Sequence, residues 1–121
     1  MLGRLLQRML GLDVPAVDVE EADGLRREER ALFLDVREAA ERRAGTIPGS
    51  RHVPLGRLLA APDPGALAGL PKEGRVVVFC ATGARSAVAV RALRRSGHAG
   101  AVNLRGGLAA WTRAGKPLAR G

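Results

Sequence analysis

The chain has 121 residues, 46% hydrophobic and 26% charged, the proportions of one ordinary globular domain rather than of a disordered chain. The formal charge is +8, but the basic residues (Lys72, Lys116 and 18 arginines) are scattered, and Phe33, Phe79 and Trp111 are the only aromatic residues. That excludes a base-stacking platform and leaves a solvated basic surface able to steer anionic substrates, so nucleic acid is not an expected partner. Cys80 is the sole cysteine and permits no internal disulfide, and His52 and His98 lack ligand spacing. No apolar run is long enough to cross a membrane. The expectation is a cytoplasmic protein with no metal, no cofactor and no membrane partner.

In chain order, "MLGRLLQRMLGL" places Leu2, Leu5, Leu6, Met9 and Leu10 on one helical face and Arg4 and Arg8 on another. This helix, within an extension over residues 1–14, is expected to pack on the domain; docking to a partner or a membrane surface is the alternative. A targeting peptide is disfavoured, because the apolar core is short and no small-residue cleavage site comes after it. Pro15 to Val19 reads as a short strand and Glu20 to Arg30 as a polar helix. Ala31 to Val36 is a continuous apolar run, the mark of a strand covered on both faces. Arg37 to Ala44 reads as a helix stopped by Gly45, Ser50 to Pro54 as a third strand, and Leu55 to Ala60 as a helical turn. Ala61 to Gly74 is a connection punctuated by proline and glycine. Arg75 to Phe79 is the fourth strand, Ser86 to Ser96 a helix ended by Gly97, and Ala101 to Leu104 the fifth strand. Gly107 to Ala114 is a last helix with Trp111 as a core anchor. Strands alternating with helices predict an α/β domain over residues 15–121, with a mostly parallel five-stranded sheet and helices on both faces.

In such sheets the reactive surface lies beyond the carboxyl ends of the strands, where Cys80 and the Asp35-Val36-Arg37 turn both fall. A lone cysteine is by itself better read as a small buried hydrophobe. The residues after Cys80 favour a chemical role instead. Ala81 to Arg85 are mostly small residues around a glycine, leading into a helix at Ser86, so backbone N–H groups are expected to converge there as an anion nest. A thiol over that nest would ionise more easily and become the nucleophile. Arg85 in the first helical turn opposes the helix dipole, which asks for an anion or a carboxylate partner nearby; the alternative is an arginine pointing into water.

Three stretches resemble the rhodanese (sulfurtransferase) family in its single-domain form, over roughly Val17 to Leu118. "LFLDVREAAERRAGTIPGSRHVPL" resembles the N-terminal signature, "VVVFCATGARS" the strand and active-site loop, and "VNLRGGLAAWTRAGKPL" the C-terminal signature with Gly106, Gly107 and Trp111 in place. The resemblance implies Cys80 as the catalytic residue and Ala81, Thr82, Gly83, Ala84, Arg85 and Ser86 as the substrate cradle. It implies that Asp35 and Arg37 brace that loop, Asp35 accepting loop hydrogen bonds and Arg37 pairing with a carboxylate. Thr46 stands where the family commonly has histidine, outside the active loop. The loop also has Arg85 as its one cation, a departure that bears on the use of thiosulfate.

The reaction implied is transfer of a sulfane sulfur from a donor such as thiosulfate to Cys80, forming a persulfide. A thiophilic acceptor (cyanide, a thiol or a protein) then removes it, which needs no second cysteine. Two alternatives remain. One is a sulfur carrier or partner-binding module that loads once and holds its persulfide. The other is a phosphatase or arsenate reductase of the related Cys-Arg loop folds, whose loop is one residue longer than the six from Cys80 to Arg85.

Overall fold

The computed structural model describes residues 3–9, 11–60 and 64–121. Five strands, β1 (Ala16–Val17), β2 (Ala31–Asp35), β3 (Arg51–His52), β4 (Arg75–Phe79) and β5 (Ala101–Leu104), form one sheet in the order β1-β5-β4-β2-β3. Every pairing is parallel, with Asp35 level with Phe79 and Val78 level with Asn103. Among the described residues seven helices accompany them: α1 (Arg4–Met9), α2 (Val19–Arg27), α3 (Ala39–Ala44), α4 (Leu55–Leu59), α5 (Pro64–Leu67), α6 (Ala84–Arg95) and α7 (Gly107–Arg113). Among the described residues no helix is long and apolar enough to cross a membrane.

The unbroken apolar run of β4 comes from being covered twice. Side chains alternate along a strand, so Val76, Val78 and Cys80 join the core with Leu58 of α4 and Val90 and Leu93 of α6. Val77 and Phe79 face the other core, with Ala22 of α2 and Trp111 of α7. Trp111 is fully buried and donates its indole N–H to the Pro117 carbonyl at 2.8 Å, which satisfies the one polar atom the ring brings inside.

Several elements are shorter than expected from the sequence, β1, α3 and β3 among them, and three further differences have a local reason. The predicted helix to Arg30 stops at Arg27 because Glu29 turns left-handed (φ 54), and Glu29 N–H and Arg30 N–H close back onto the Arg26 and Leu25 carbonyls. That is the usual glycine-type helix ending, here made by a glutamate. Helix α6 starts two residues before Ser86, because Gly83 (φ 107) acts as its cap and draws Ala84 and Arg85 into the first turn. The long connection contains a helical turn, α5, with its residues 61–63 outside the described ones.

The N-terminal helix forms, but none of its residues is buried: Leu5, Leu6 and Met9 are exposed, while Leu2 and Leu10 lie outside the described residues. Over the described residues of that face, the expectation that it packs on the domain is not met. What anchors the segment is polar and further along. Arg91 of α6 holds Asp13 through two hydrogen bonds (2.8 and 2.9 Å) and the Arg8 carbonyl at 2.8 Å. Gly11 (φ 73) comes so close to α6 that an added Cβ would stand 2.9 Å from the Ala87 Cβ.

Candidate active site

Strand β4 ends at Phe79 and delivers Cys80 to the carboxyl edge of the sheet, where the chain must turn into α6. Cys80 is 1% exposed, and its Sγ sits inside the turn it begins. Gly83 N–H points at it from 3.0 Å, Ser86 N–H from 3.4 Å, and the Ser86 hydroxyl lies 3.4 Å away. Burial pushes the thiol up, but the amides of Ser86, Gly83 and Thr82, joined by the Ser86 hydroxyl when it donates to the sulfur, outweigh it, so the thiol is held below its ordinary value. Left-handed Gly83 makes the inward turn possible without strain. Thr82 and Ala84 are exposed and Ala81 is half-buried, so the outer rim of the loop is the part that meets solvent.

The loop is gripped from β5 and α7. Leu108 N–H and Ala109 N–H donate to the Cys80 and Ala81 carbonyls at 2.8 and 2.9 Å. That approach requires Gly107, whose Cβ, if present, would fall 2.7 Å from the Cys80 carbonyl oxygen. Asn103 of β5 is buried and joins Gly83 and Ser86, its Nδ2 donating to the Gly83 carbonyl at 3.1 Å and its Oδ1 accepting from the Ser86 hydroxyl at 2.6 Å. Sequence reasoning did not single out Asn103; its signal is a lone polar residue inside the apolar strand "AVNL".

Arg85 has found its anion. Both terminal guanidinium nitrogens pair with the Glu41 carboxylate of α3 at 2.7 and 2.8 Å. The Arg85 hydrogen bonds pull Glu41 from its ordinary value down to about 2, and Arg85 is itself raised. Glu41 Oε1 also accepts the Glu38 N–H at 3.1 Å, so α3 holds the carboxylate ready. With both ends of its fork engaged, Arg85 ties α6 to α3.

Asp35 and Arg37 brace a neighbouring turn rather than the thiol loop. Asp35 is fully buried; its oxygens accept from Arg37 Nε and terminal nitrogen (3.0 Å each), the Thr46 hydroxyl (2.9 Å) and Arg42 (3.4 Å). Arg37 also donates to the Gly45 carbonyl at 2.6 Å and Arg42 to the Ser50 carbonyl at 2.6 Å. Asp35 thus accepts no loop hydrogen bond, because its lone pairs are consumed by this knot. Contact with the loop's strand runs through the Val36 N–H on the Phe79 carbonyl (3.1 Å) and the Arg37 guanidinium, 6.0 Å from the Phe79 ring centre. Arg37 does pair with a carboxylate, that of Asp35. Thr46, though outside the thiol loop, is a working member of the knot.

A parallel sheet presenting one buried thiol, ringed by backbone donors at the start of a helix, defines a class of cysteine-loop transfer domains. The rhodanese-like domain model matches residues 18–114. A sulfurtransferase of Allochromatium vinosum is 37% identical over 90 residues, spanning 74% of this chain and 79% of that protein. Human thiosulfate:glutathione sulfurtransferase is 35% identical over 106 residues, spanning 80% of this chain and 92% of that one. The crystal structure of a rhodanese-related protein from Thermoplasma volcanium superimposes with a TM-score of 0.73 at 30% identity, covering 87% of this chain and 97% of that one. The chain belongs to the rhodanese-like sulfurtransferase family.

Proposed function

We propose that the protein moves a sulfane sulfur through a persulfide on Cys80. The observation that carries this reading is the Cys80 Sγ at the end of β4, within 3.0 and 3.4 Å of the Gly83 and Ser86 amides. The Cys80 thiolate attacks the outer sulfur of a donor such as thiosulfate. A new S–S bond forms, the donor's S–S bond breaks, and sulfite leaves with the electron pair. An acceptor, cyanide or a thiol, then attacks the terminal sulfur and the Cys80 thiolate departs with the electrons of the bond. Fixed amides suit both steps, because negative charge gathers on sulfur over the loop and the donors need no rearrangement to meet it.

The donor is read mainly by the amides of residues 81–86, and Arg85 shapes that loop through Glu41. Residues 15–121 form the working domain and 1–14 an extension, a division supported by the span of the family match. A working free thiol fits a reducing compartment such as the cytoplasm.

The test is mass spectrometry of the protein after parallel exposure to thiosulfate, mercaptopyruvate and an organic persulfide. The expected product gains one sulfur atom on Cys80 and loses it to cyanide. Steady thiocyanate production with thiosulfate and cyanide identifies an enzyme; a single loading followed by arrest identifies a carrier.

A further inference from the structure

The Ser86 hydroxyl has one proton and two acceptors within reach, the Asn103 Oδ1 at 2.6 Å and the Cys80 Sγ at 3.4 Å. The orientation of the Asn103 amide is settled by its other end, since Nδ2 donates to the Gly83 carbonyl at 3.1 Å and Oδ1 therefore faces Ser86. A carbonyl-type oxygen carries no proton, so at 2.6 Å Ser86 must be the donor. Its lone pairs are then left for the sulfur, which favours the protonated thiol.

We propose that Asn103 is a positioning residue that restrains Cys80 by holding the Ser86 proton away from the sulfur. When Cys80 loses its proton to solvent, the hydroxyl can swing to the thiolate only by giving up Asn103. No bond to hydrogen breaks in that swing; one O–H rotates between two acceptors. The inference rests on Cys80 as the nucleophile, but its test reads ionisation and needs no sulfur transfer. Persulfide chemistry can fail while this inference stands, and the reverse.

The Gly83 carbonyl also accepts the Ala87 N–H at 3.1 Å, so loss of the Asn103 amide leaves the loop anchored to α6. Charged and titratable groups stand near the loop: Arg85 with Glu41 from α3, Arg37 with Asp35 at the end of β2, and His52 of β3 against the Arg37 carbonyl. Arg105 comes just after β5 and lines the cleft beside Thr82, and Arg91 of α6 pairs with Asp13. Substitutions at Asn103 and Ser86 retain all of these groups, so they act equally in each variant.

The experiment is the pH dependence of iodoacetamide alkylation of Cys80, the sole thiol, with folding checked by circular dichroism. Asn103→Leu leaves sulfur as the acceptor for Ser86. The midpoint is expected to fall by about half a pH unit or more, roughly a threefold faster reaction on the acid limb. Adding Ser86→Ala to that variant is expected to cancel the fall. An unchanged or raised midpoint in folded Asn103→Leu, or a fall that survives Ser86→Ala, overturns the proposal. If Asn103→Leu does not fold, Ser86→Ala alone decides. A midpoint within about half a unit of the parent supports a hydroxyl held by Asn103, and a larger rise overturns the proposal by showing that the hydroxyl was committed to sulfur.

Discussion

Two buried polar clusters lie at the carboxyl ends of adjacent strands, level with each other where Asp35 pairs with Phe79. The loop after β4 is built from main chain: the groups nearest the Cys80 Sγ are two amides and one hydroxyl, and its one cation is turned onto Glu41. The knot after β2 is built from side chains, with two arginines and a threonine on a single carboxylate. The difference has a physical consequence. A backbone site keeps its donors through most substitutions and leaves reactivity to one atom, whereas a buried charge cluster fails as a unit when any partner is removed. On the proposed function, chemistry and rigidity are therefore carried by different residues on neighbouring strands.

That contrast can be broken most severely at the sulfur. Cys80→Ser is expected to abolish both the sulfur adduct and thiocyanate formation while the urea midpoint stays close to the parent's. Residual turnover would place the reacting group elsewhere. Asp35→Ala attacks the other cluster, leaving buried Arg37 and half-buried Arg42 without their shared carboxylate. It is expected to cost about 3–5 kcal/mol in urea denaturation. Activity should fall in step with the folded fraction; a loss of activity with an unchanged midpoint would give Asp35 a chemical role.

Arg85→Ala probes the border between the clusters. Since Glu41 occupies the guanidinium, the expected loss in kcat/KM is about tenfold or less, equivalent to ~1.4 kcal/mol, and similar for a charged and an uncharged donor. A loss confined to thiosulfate, and seen in KM, would mean that Arg85 reads the donor directly. The smallest effect is in acid. Glu41 ionises at about 2 in the folded chain against an ordinary 4.5, so its contribution is complete above roughly pH 5 and disappears as pH falls through 2. The pair is about a third exposed (37% and 34%), and solvent screening limits the effect to about 1 kcal/mol. Glu41→Gln should flatten the stability profile between those pH values, as measured by thermal melting; parallel profiles would show that the pair contributes nothing to stability.

The sheet, its helices and the position of Cys80 were legible in the sequence because each leaves a local trace. The apolar run of β4, the glycines at 83 and 107, and the helix stop at Gly97 are patterns within a few residues. The demand for an anion near Arg85 was also legible, from the helix dipole. Its identity was not, since Glu41 lies 44 residues away. Asn103 escaped, and Thr46 was noted only as lying outside the active loop, for the same reason: each is one polar residue whose meaning depends on a partner brought alongside by the fold. The end of α2 was misplaced because a glutamate took the left-handed position that glycine usually marks. At the N-terminus the amphipathic pattern was read correctly as a helix, but periodicity carries no information on whether a partner surface exists for it.

Both outer strands of the sheet, β1 and β3, pair with their neighbours over two residues only. Each outer strand therefore presents little ladder of its own, and a second chain laid along β1 or β3 would find few free amides and carbonyls to register against. On β3 that short border is also occupied by Arg51 and His52. Extension of the sheet by a further strand is thus opposed at β1 and β3, which end almost as soon as they begin.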